Sequence, residues 1–565
     1  QLFCAVSLGI FATLAKQSAT AQTKPRLAQI PSVSQLSDVQ PTDWAFGALQ
    51  SLVERYGCIA GYPDGTYRGN RALTRYEFAA GLNACLETLT IPVVNTEDLA
   101  ILERLKDEFT AELATVRGRV DTLETRTAQL EATQFSTTTK LNGLAFLNVT
   151  GATAGGDVRV ETSDINAPLP IRPAARNSVT NRPIVGTAND PEITFSNVVW
   201  LDFNTSFSGK DNLTVQLAAG NGNSPANAYA SAGLYNTFGV PYTDQTADSD
   251  IGSNNVVIRE LAYSFPVGDN VRVAVGPRLN WYRYFDNNAF TFFLTGTSSF
   301  NAIGSTLSNT IDRGSGAVVT WDIADKLRLA VGYLGENNEF LPSQFGFNSS
   351  SDPEKGLFGA TNTASVELTV SPTDALNVRL FYNYSTLDAN IPIFDESGNI
   401  TGLGVGSANS EPFLGVADDG FGGSIEDAGA HAFGVNFDWL ATRGLGVFGR
   451  YGYGITQIDP VSQDLPDGEI EAQSLQLGLA FPDLGKKGAL ATLSYVIPFS
   501  VLEGRNFLAS GGGDGGVQYE LEATYFYPVS DRLSLVPAFY FIGNPNNFSD
   551  NPNIYVGNLR VQFSF

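Results

Sequence analysis

The stretch YVGNLRVQFSF, Tyr555 to Phe565, alternates without a break. Tyr555, Gly557, Leu559, Val561, Phe563 and Phe565 fall on one face; Val556, Asn558, Arg560, Gln562 and Ser564 fall on the other. A period of two is the geometry of a β-strand with one apolar and one largely polar side. In a sandwich the apolar side meets a core, whereas in a membrane barrel it meets lipid. How often the pattern recurs upstream decides between them.

Working outward, residues 197–207 and 212–220 form a hairpin pattern. Val199, Leu201, Phe203 and Thr205 alternate, a turn follows at 208–211, and Leu213, Val215, Leu217 and Ala219 resume the period. The same reading places sixteen strands near 141–150, 197–207, 212–220, 255–265, 271–277, 316–323, 327–334, 364–370, 376–384, 431–439, 445–454, 473–481, 489–497, 517–527, 533–541 and 555–565. Connections after even-numbered strands are short. Those after odd-numbered strands are long, polar and rich in Gly, Asn and Ser. Such segregation predicts an antiparallel up-and-down membrane barrel over 141–565, with short turns on one side of the membrane and long loops on the other. Sixteen strands enclose an aqueous lumen rather than a filled core. The expected lumen register carries Asp202, Gln216, Arg272, Asp322, Arg328, Glu367, Arg379, Glu520 and Glu522, and in the last strand Arg560 and Gln562, facing water.

Composition agrees. Hydrophobic residues make up 43% of the chain, and beyond the N-terminus no apolar run reaches the ~20 residues of a membrane helix. The 57 Gly, 37 Phe and 21 Tyr suit turns and interfacial girdles. A net charge of -24 would repel nucleic acid phosphates, so that partner is excluded. Catalysis finds no support: His431 is the sole histidine, which removes His-based triads and multi-His metal sites, and no Gly-rich phosphate cradle carries a Lys. No cofactor or metal is expected.

The N-terminal third reads differently. Residues 2–15 are apolar but too short to span, and Ala19-Thr20-Ala21 follows, so residues 1–21 read as a secretory signal cleaved before Gln22. Residues 22–35 form a linker. Cys58 and Cys85 remain in the exported chain; two buried thiols are the simpler reading, a disulfide the alternative. Over residues 36–92 an amphipathic stretch from Trp44 to Tyr56 precedes a Pro63-Asp64-Gly65 turn. A second helix then opens at Thr74, with Glu77 as capping-box partner. Asp38-Val39, Trp44-Ala45, Gly61-Tyr62-Pro63-Asp64-Gly65-Thr66 and Leu73-Thr74-Arg75-Tyr76-Glu77-Phe78-Ala79 resemble the S-layer homology domain. The resemblance implies binding of cell-wall glycan, peptidoglycan-linked polysaccharide here. Trp44 would stack on a sugar ring and Arg75 would fork an acidic substituent, with Asp64 and Gly65 shaping the turn beside it; alternatively Trp44 is core and Arg75 pairs locally.

Residues 97–135 carry a heptad seam: Leu102, Phe109, Val116, Leu123 and Leu130 recur every seven residues. That pattern favours a self-associating coiled coil over an intramolecular hairpin, and a homotrimer would suit a porin.

The order of modules resembles the cyanobacterial outer-membrane porins, whose barrels group with the carbohydrate-selective porin family and which often carry the label of iron-uptake porins. In the barrel the likeness includes Gly276 to Tyr282 and Tyr284 to Asn288. It implies an outer-membrane location with periplasmic N-terminal modules, and passive diffusion of small hydrophilic solutes. The terminal Phe563 and Phe565 resemble the insertion signal of outer-membrane proteins. The third long loop, 278–315, holds Phe290, Phe292, Phe293 and Phe300, apolar residues that need burial in the lumen or against other loops or a subunit interface. Arg278, Arg283, Asp286 and Arg313 are the expected constriction residues. A mainly structural tether between outer membrane and cell wall, with an incidental pore, is the alternative function.

Overall fold

The computed structural model describes residues 32–43, 46–50, 53–54, 66–68 and 138–565, except for 168–171, 249, 251, 309–311, 338–349, 360 and 407–411. The chain divides into two compact units, Gln1–Leu130 and Glu131–Phe565.

In the first unit, the described residues include a 3₁₀ turn at Val33–Gln35 and a short helix at Phe46–Gln50. Val33, Leu36, Val39, Leu49 and Val53 form a small core with Phe46 and Tyr67 against it. The Asp38 carboxylate accepts the backbone N–H of Tyr67 at 2.6 Å and of Arg68 at 2.5 Å. This gives Asp38 a structural role: it ties the module's opening to Tyr67 and Arg68, some thirty residues on. Trp44, Cys58, Asp64, Gly65, Arg75, Cys85 and the heptad seam lie outside the described residues.

The second unit is a closed antiparallel barrel of sixteen strands. In chain order these are β1 (Thr139–Ala154), β2 (Thr194–Thr205), β3 (Asn212–Asn223), β4 (Val257–Val267), β5 (Val271–Asn280), β6 (Arg313–Ala324), β7 (Leu327–Glu336), β8 (Asn362–Thr373), β9 (Leu376–Leu387), β10 (Ala428–Thr442), β11 (Leu445–Ile458), β12 (Gly468–Pro482), β13 (Leu490–Glu503), β14 (Tyr519–Ser530), β15 (Leu533–Gly543) and β16 (Ile554–Ser564). Each pairs with its neighbours in sequence. Closure comes from β1 against β16, in register from Leu144 opposite Ser564 to Ala154 opposite Ile554. Closure removes every free edge, so each backbone ladder is complete without water.

Burial is inverted relative to a soluble protein. Trp439, Leu477, Leu493, Phe539 and Leu559 stand exposed on the outside, while Asn436, Gln476, Thr492, Glu520 and Asn558 are buried inside. In β16 the expected parity holds throughout: Tyr555, Leu559 and Phe563 are exposed, and Val556, Asn558, Arg560 and Gln562 are buried. Only a lipid surround makes such a surface stable.

The short turns are built from local hydrogen bonds. Between β2 and β3, the Asp211 carboxylate accepts the N–H groups of Ser208 (2.8 Å) and Phe207 (3.0 Å) and the hydroxyls of Ser206, Ser208 and Tyr263. These donors, the Ser208 N–H first, hold Asp211 well below the usual carboxylate range. Strands β10 to β13 run further into the long-loop side than the alternation predicts; β12 starts at Gly468 rather than near 473. Glu469 and Glu471 continue the ladder opposite Gln457 and Ile455 on the outward face, while Ile470 and Ala472 between and after them are buried inward, so the alternation persists with its polarity reversed.

At the chain's end, Phe565 and Gly143 exchange backbone hydrogen bonds at 2.7 and 3.0 Å. A Cβ at Gly143 would stand 2.2 Å from the Phe565 ring, so the ring lies flat over a position that only glycine fits. Substituting Gly143 with leucine should displace the terminal aromatic and reduce the folded, heat-modifiable barrel recovered from outer membranes; gel mobility of unheated samples measures it.

Candidate functional site

Two long loops fold into the barrel. The second, between β3 and β4, places Thr243 and Asp244 against the β1 wall: Asn148 donates to the Thr243 carbonyl at 2.8 Å and Thr150 to the Asp244 carboxylate at 2.6 Å. The third, between β5 and β6, crosses the lumen. Trp281 stacks on Phe285 with ring centroids 5.2 Å apart and donates its indole N–H to Ser365 at 2.9 Å. Phe290 lies on Phe448 and Ala480, where a Cβ at Gly446 would come within 2.3 Å of its ring. Phe293 and Phe300 pack on Tyr242 of the second loop, and Phe293 meets Trp200 edge-on. Phe290, Phe293 and Phe300 thus find inside the barrel the apolar contact an exposed loop lacks, whereas Phe292, tilted against Phe293, stays half-exposed.

Wall carboxylates hold these loops. Asp286, in the left-handed region (φ 53°), sits opposite Arg450 of β11, whose Nε lies 3.0 and 3.1 Å from its two oxygens. Asn436 donates to Asp286 at 2.6 Å, as does the Ser305 N–H, and the Asp286 N–H reaches Glu367 at 2.6 Å. Further along, Glu522 accepts the N–H groups of Ser298 (2.5 Å) and Ser299 (3.3 Å). Glu520 accepts from Gly239 (2.8 Å) and Asn301 (3.1 Å). Loop backbone donors withdrawn from water need acceptors, and ionisable oxygens on the wall provide them.

Of the four expected constriction residues, the structure brings two into the lumen. Asp286 is the buried anchor just described. Arg283 grips Glu260 with two bonds, 2.8 and 2.6 Å, yet its side chain remains 48% exposed. Arg278 faces away from the lumen. A bulge in the β4–β5 pairing flips the parity after Val275, so Arg278 shares the outward face with Leu261 and bonds Asn337. Arg313 is buried at the start of β6, one residue off the inward register of Gly314, Gly316 and Val318, with Asp312 at 2.9 Å. Arg560, expected to face pore water, is instead covered: it donates to the Leu294 carbonyl at 3.1 Å beneath the third loop.

Arg450, Asn436 and Glu260 are pore residues that the alternation alone did not single out. Their signal was present, since each is polar at an inward position of its strand. The second loop also carried one: its Tyr229, Leu234 and Phe238 are buried in one apolar cluster and its Tyr242 in another, with Phe146 and Trp200 of the wall.

Below the third loop a polar cavity of about 320 Å³ opens along β6 to β9, lined by Tyr284, Asn287, Asp322, Arg328, Glu367 and Arg379, among others. On the long-loop side a small sheet assembles from Ala174–Ala175, Ile391–Phe394, Ile400–Gly406, Val416–Ala417 and Leu508–Ser510. A buried fork from Arg176 to Asp418 (2.6 and 2.8 Å) secures it. Beside it Glu161 accepts the N–H groups of Gly511 (2.5 Å) and Gly513 (3.0 Å), and burial pushes its carboxyl up to about 7. A folded pKa above the unfolded value near 4.5 means the protonated form is favoured by folding. Stability from this group is fully present below about 4.5 and is lost as pH rises through about 7. Amide exchange in 504–518 should accordingly be slower at pH 5 than at pH 8, after correction for intrinsic rates, and Glu161→Gln should flatten the difference.

Comparison with known proteins also finds a porin barrel. Residues 96–565 match the carbohydrate-selective porin, OprB family, and residues 35–79 match the S-layer homology domain. The chain belongs to the OprB porin family. The barrel of OprB from Pseudomonas putida, in its high-pH structure, superposes with a TM-score of 0.51 at 15% identity, covering 79% of this chain and 97% of that one. An uncharacterized protein of Nostoc sp. is 38% identical over 95% of this chain and 86% of its own length. Another, of Synechocystis sp., is 32% identical over 95% and 91%. Outer membrane protein SlpA of Deinococcus radiodurans is 41% identical over 98 residues, 17% of this chain and 8% of that protein. This OprB-family chain is therefore an outer-membrane porin barrel with an S-layer homology module, and it is similar to named outer-membrane proteins.

Proposed function

We propose that the chain is a passive diffusion channel for small hydrophilic solutes: inorganic ions, and among larger candidates iron species or sugars. Its periplasmic S-layer homology domain tethers it to peptidoglycan-linked polysaccharide. The observation that carries the channel reading is a closed barrel, polar within and apolar without, narrowed by an infolded third loop. Arg283 and Asp286 belong to its narrow zone, one presented to solvent and one anchoring the loop. Purified protein in planar bilayers should give discrete conductance steps; their absence at high protein load would leave the structural tether as the function. That second reading draws support from the same infolding, because the second and third loops occupy much of the lumen.

The tether rests on the S-layer homology motif, with Trp44 and Arg75 as glycan contacts beside Asp64 and Gly65. Full-length Trp44→Ala or Arg75→Ala protein should lose retention on purified peptidoglycan sacculi while keeping its conductance. Self-association through the 97–135 seam supports a homotrimer, which cross-linking in detergent tests.

A further inference from the structure

The chain as a whole is strongly acidic, at -24, which would lead one to expect a cation-attracting pore. The inside of the barrel is arranged the other way. Among the described residues, the inward-facing carboxylates Glu260, Asp286, Glu367, Asp438, Glu520 and Glu522 are all buried. They are committed to loop N–H groups or to arginines, Arg379 to Asp438 at 2.6 Å among them. Four arginines are withdrawn as well, Arg379 and Arg450 onto carboxylates and Arg259 and Arg560 against the second and third loops, but four other cations are not. Lys140, opposite inward Asn204, and Arg272, which donates to inward Ser264 at 2.8 Å, are both exposed. Arg283 and Arg328 are also exposed on the lumen side. Against them the water-accessible wall sets Asp322, 2.6 Å from Arg328, and half-buried Asp202.

The asymmetry has a physical origin. Anchoring the infolded loops requires acceptors for their backbone N–H groups, so the wall's carboxylates are drawn under the loops. Arg450 and Arg560 serve loop carbonyls in the same way, but Lys140, Arg272, Arg283 and Arg328 keep their ends in water, as long Lys and Arg side chains do. A permeating ion therefore meets exposed positive ends within low-dielectric walls, which focus their field.

We propose that the lumen prefers small inorganic anions over cations, with Lys140, Arg272, Arg283 and Arg328 setting the preference. The proposal rests on the channel reading above. Reversal potentials of the full chain in neutral-lipid bilayers under a KCl gradient test it. The expected result is a chloride-to-potassium permeability ratio of roughly three or more, as a lumen potential of about half a kT or more gives by enriching the anion and depleting the cation together. The ratio should shrink as both salt concentrations rise, because exposed charges are screened. Lys140→Gln, Arg272→Gln and Arg328→Gln should each lower it, Arg328→Gln most, since it leaves Asp322 exposed without its partner. Discrete conductance with a ratio at or below one, or a ratio that none of the three substitutions moves, overturns the anion preference and leaves the channel standing. Absence of conductance overturns both.

Discussion

Arg450→Met should raise single-channel conductance several-fold and cost the barrel about 3–5 kcal/mol of stability, the range for breaking one half of a buried ion pair. The Arg450 and Asp286 side chains are 3% and 0% exposed, so the carboxylate left behind would have no route to bulk water. Arg450 also holds the Thr291 hydroxyl at 2.8 Å, the Asp286 carbonyl at 3.1 Å and the Ile303 carbonyl at 3.3 Å, and it reaches Gln476 on the next strand at 2.6 Å. One guanidinium thus clamps the start and end of the infolded segment to the wall, and losing it should let the loop swing. Asp286→Asn in the same chain should recover part of the stability, because asparagine tolerates the left-handed backbone and removes the orphaned charge. Conductance traces and urea unfolding in lipid read the two effects separately. A folded Arg450→Met variant with native conductance would mean that Asn436, Glu367 and the Phe290 contact suffice to hold the loop.

The neighbours Leu477 and Gln476 should respond to opposite substitutions. Leu477 stands half-exposed on the lipid side of β12, and Leu477→Arg should destabilise by about 2–4 kcal/mol, as a cation near the middle of the bilayer does. Gln476, one residue away, points inward and donates to the Ala302 carbonyl at 2.7 Å and to Ser494 at 3.2 Å. Gln476→Leu should cost about 1–3 kcal/mol by leaving buried groups unpaired, Arg450 among them. Urea unfolding of both variants in the same lipid gives the comparison. Were Leu477→Arg tolerated and equal in stability to the parent, the outside of β12 would be facing water or protein rather than lipid.

Much of the architecture was legible because the membrane imposes a strict period. Every strand must present one face to lipid and one to the lumen, so an alternation such as that of Tyr555 to Phe565 encodes both the element and its orientation. The contrast of short turns with long loops then orders the strands around the barrel. Legibility failed where that constraint lapsed. Glu469 and Glu471 extend β12 with polar residues outward and Ile470 and Ala472 buried inward, the reverse of the polarity that marks the rest of the strand. Arg278 misled because a single bulge reversed its side; Gly276-Pro277 just before it is the sequence mark of that bulge, since a proline inside a closed sheet cannot donate to the ladder.

The sequence by itself determined the strand number, the inside and outside of the strands wherever no bulge intervenes, the membrane environment and the presence of an S-layer homology module. Those properties are written in local periodicity and short motifs. Only the tertiary structure decided which polar residues line open water and which lie beneath a loop. Arg560 and Arg272 occupy equivalent inward positions on their strands, yet one is sealed under Leu294 and the other stays exposed. That difference depends on where a loop of some thirty residues, Trp281 to Asp312, crosses the barrel, through contacts such as Asp286 to Arg450 that join positions 164 residues apart. No local pattern records it, because partners so distant in sequence are brought together only by closure of the sheet.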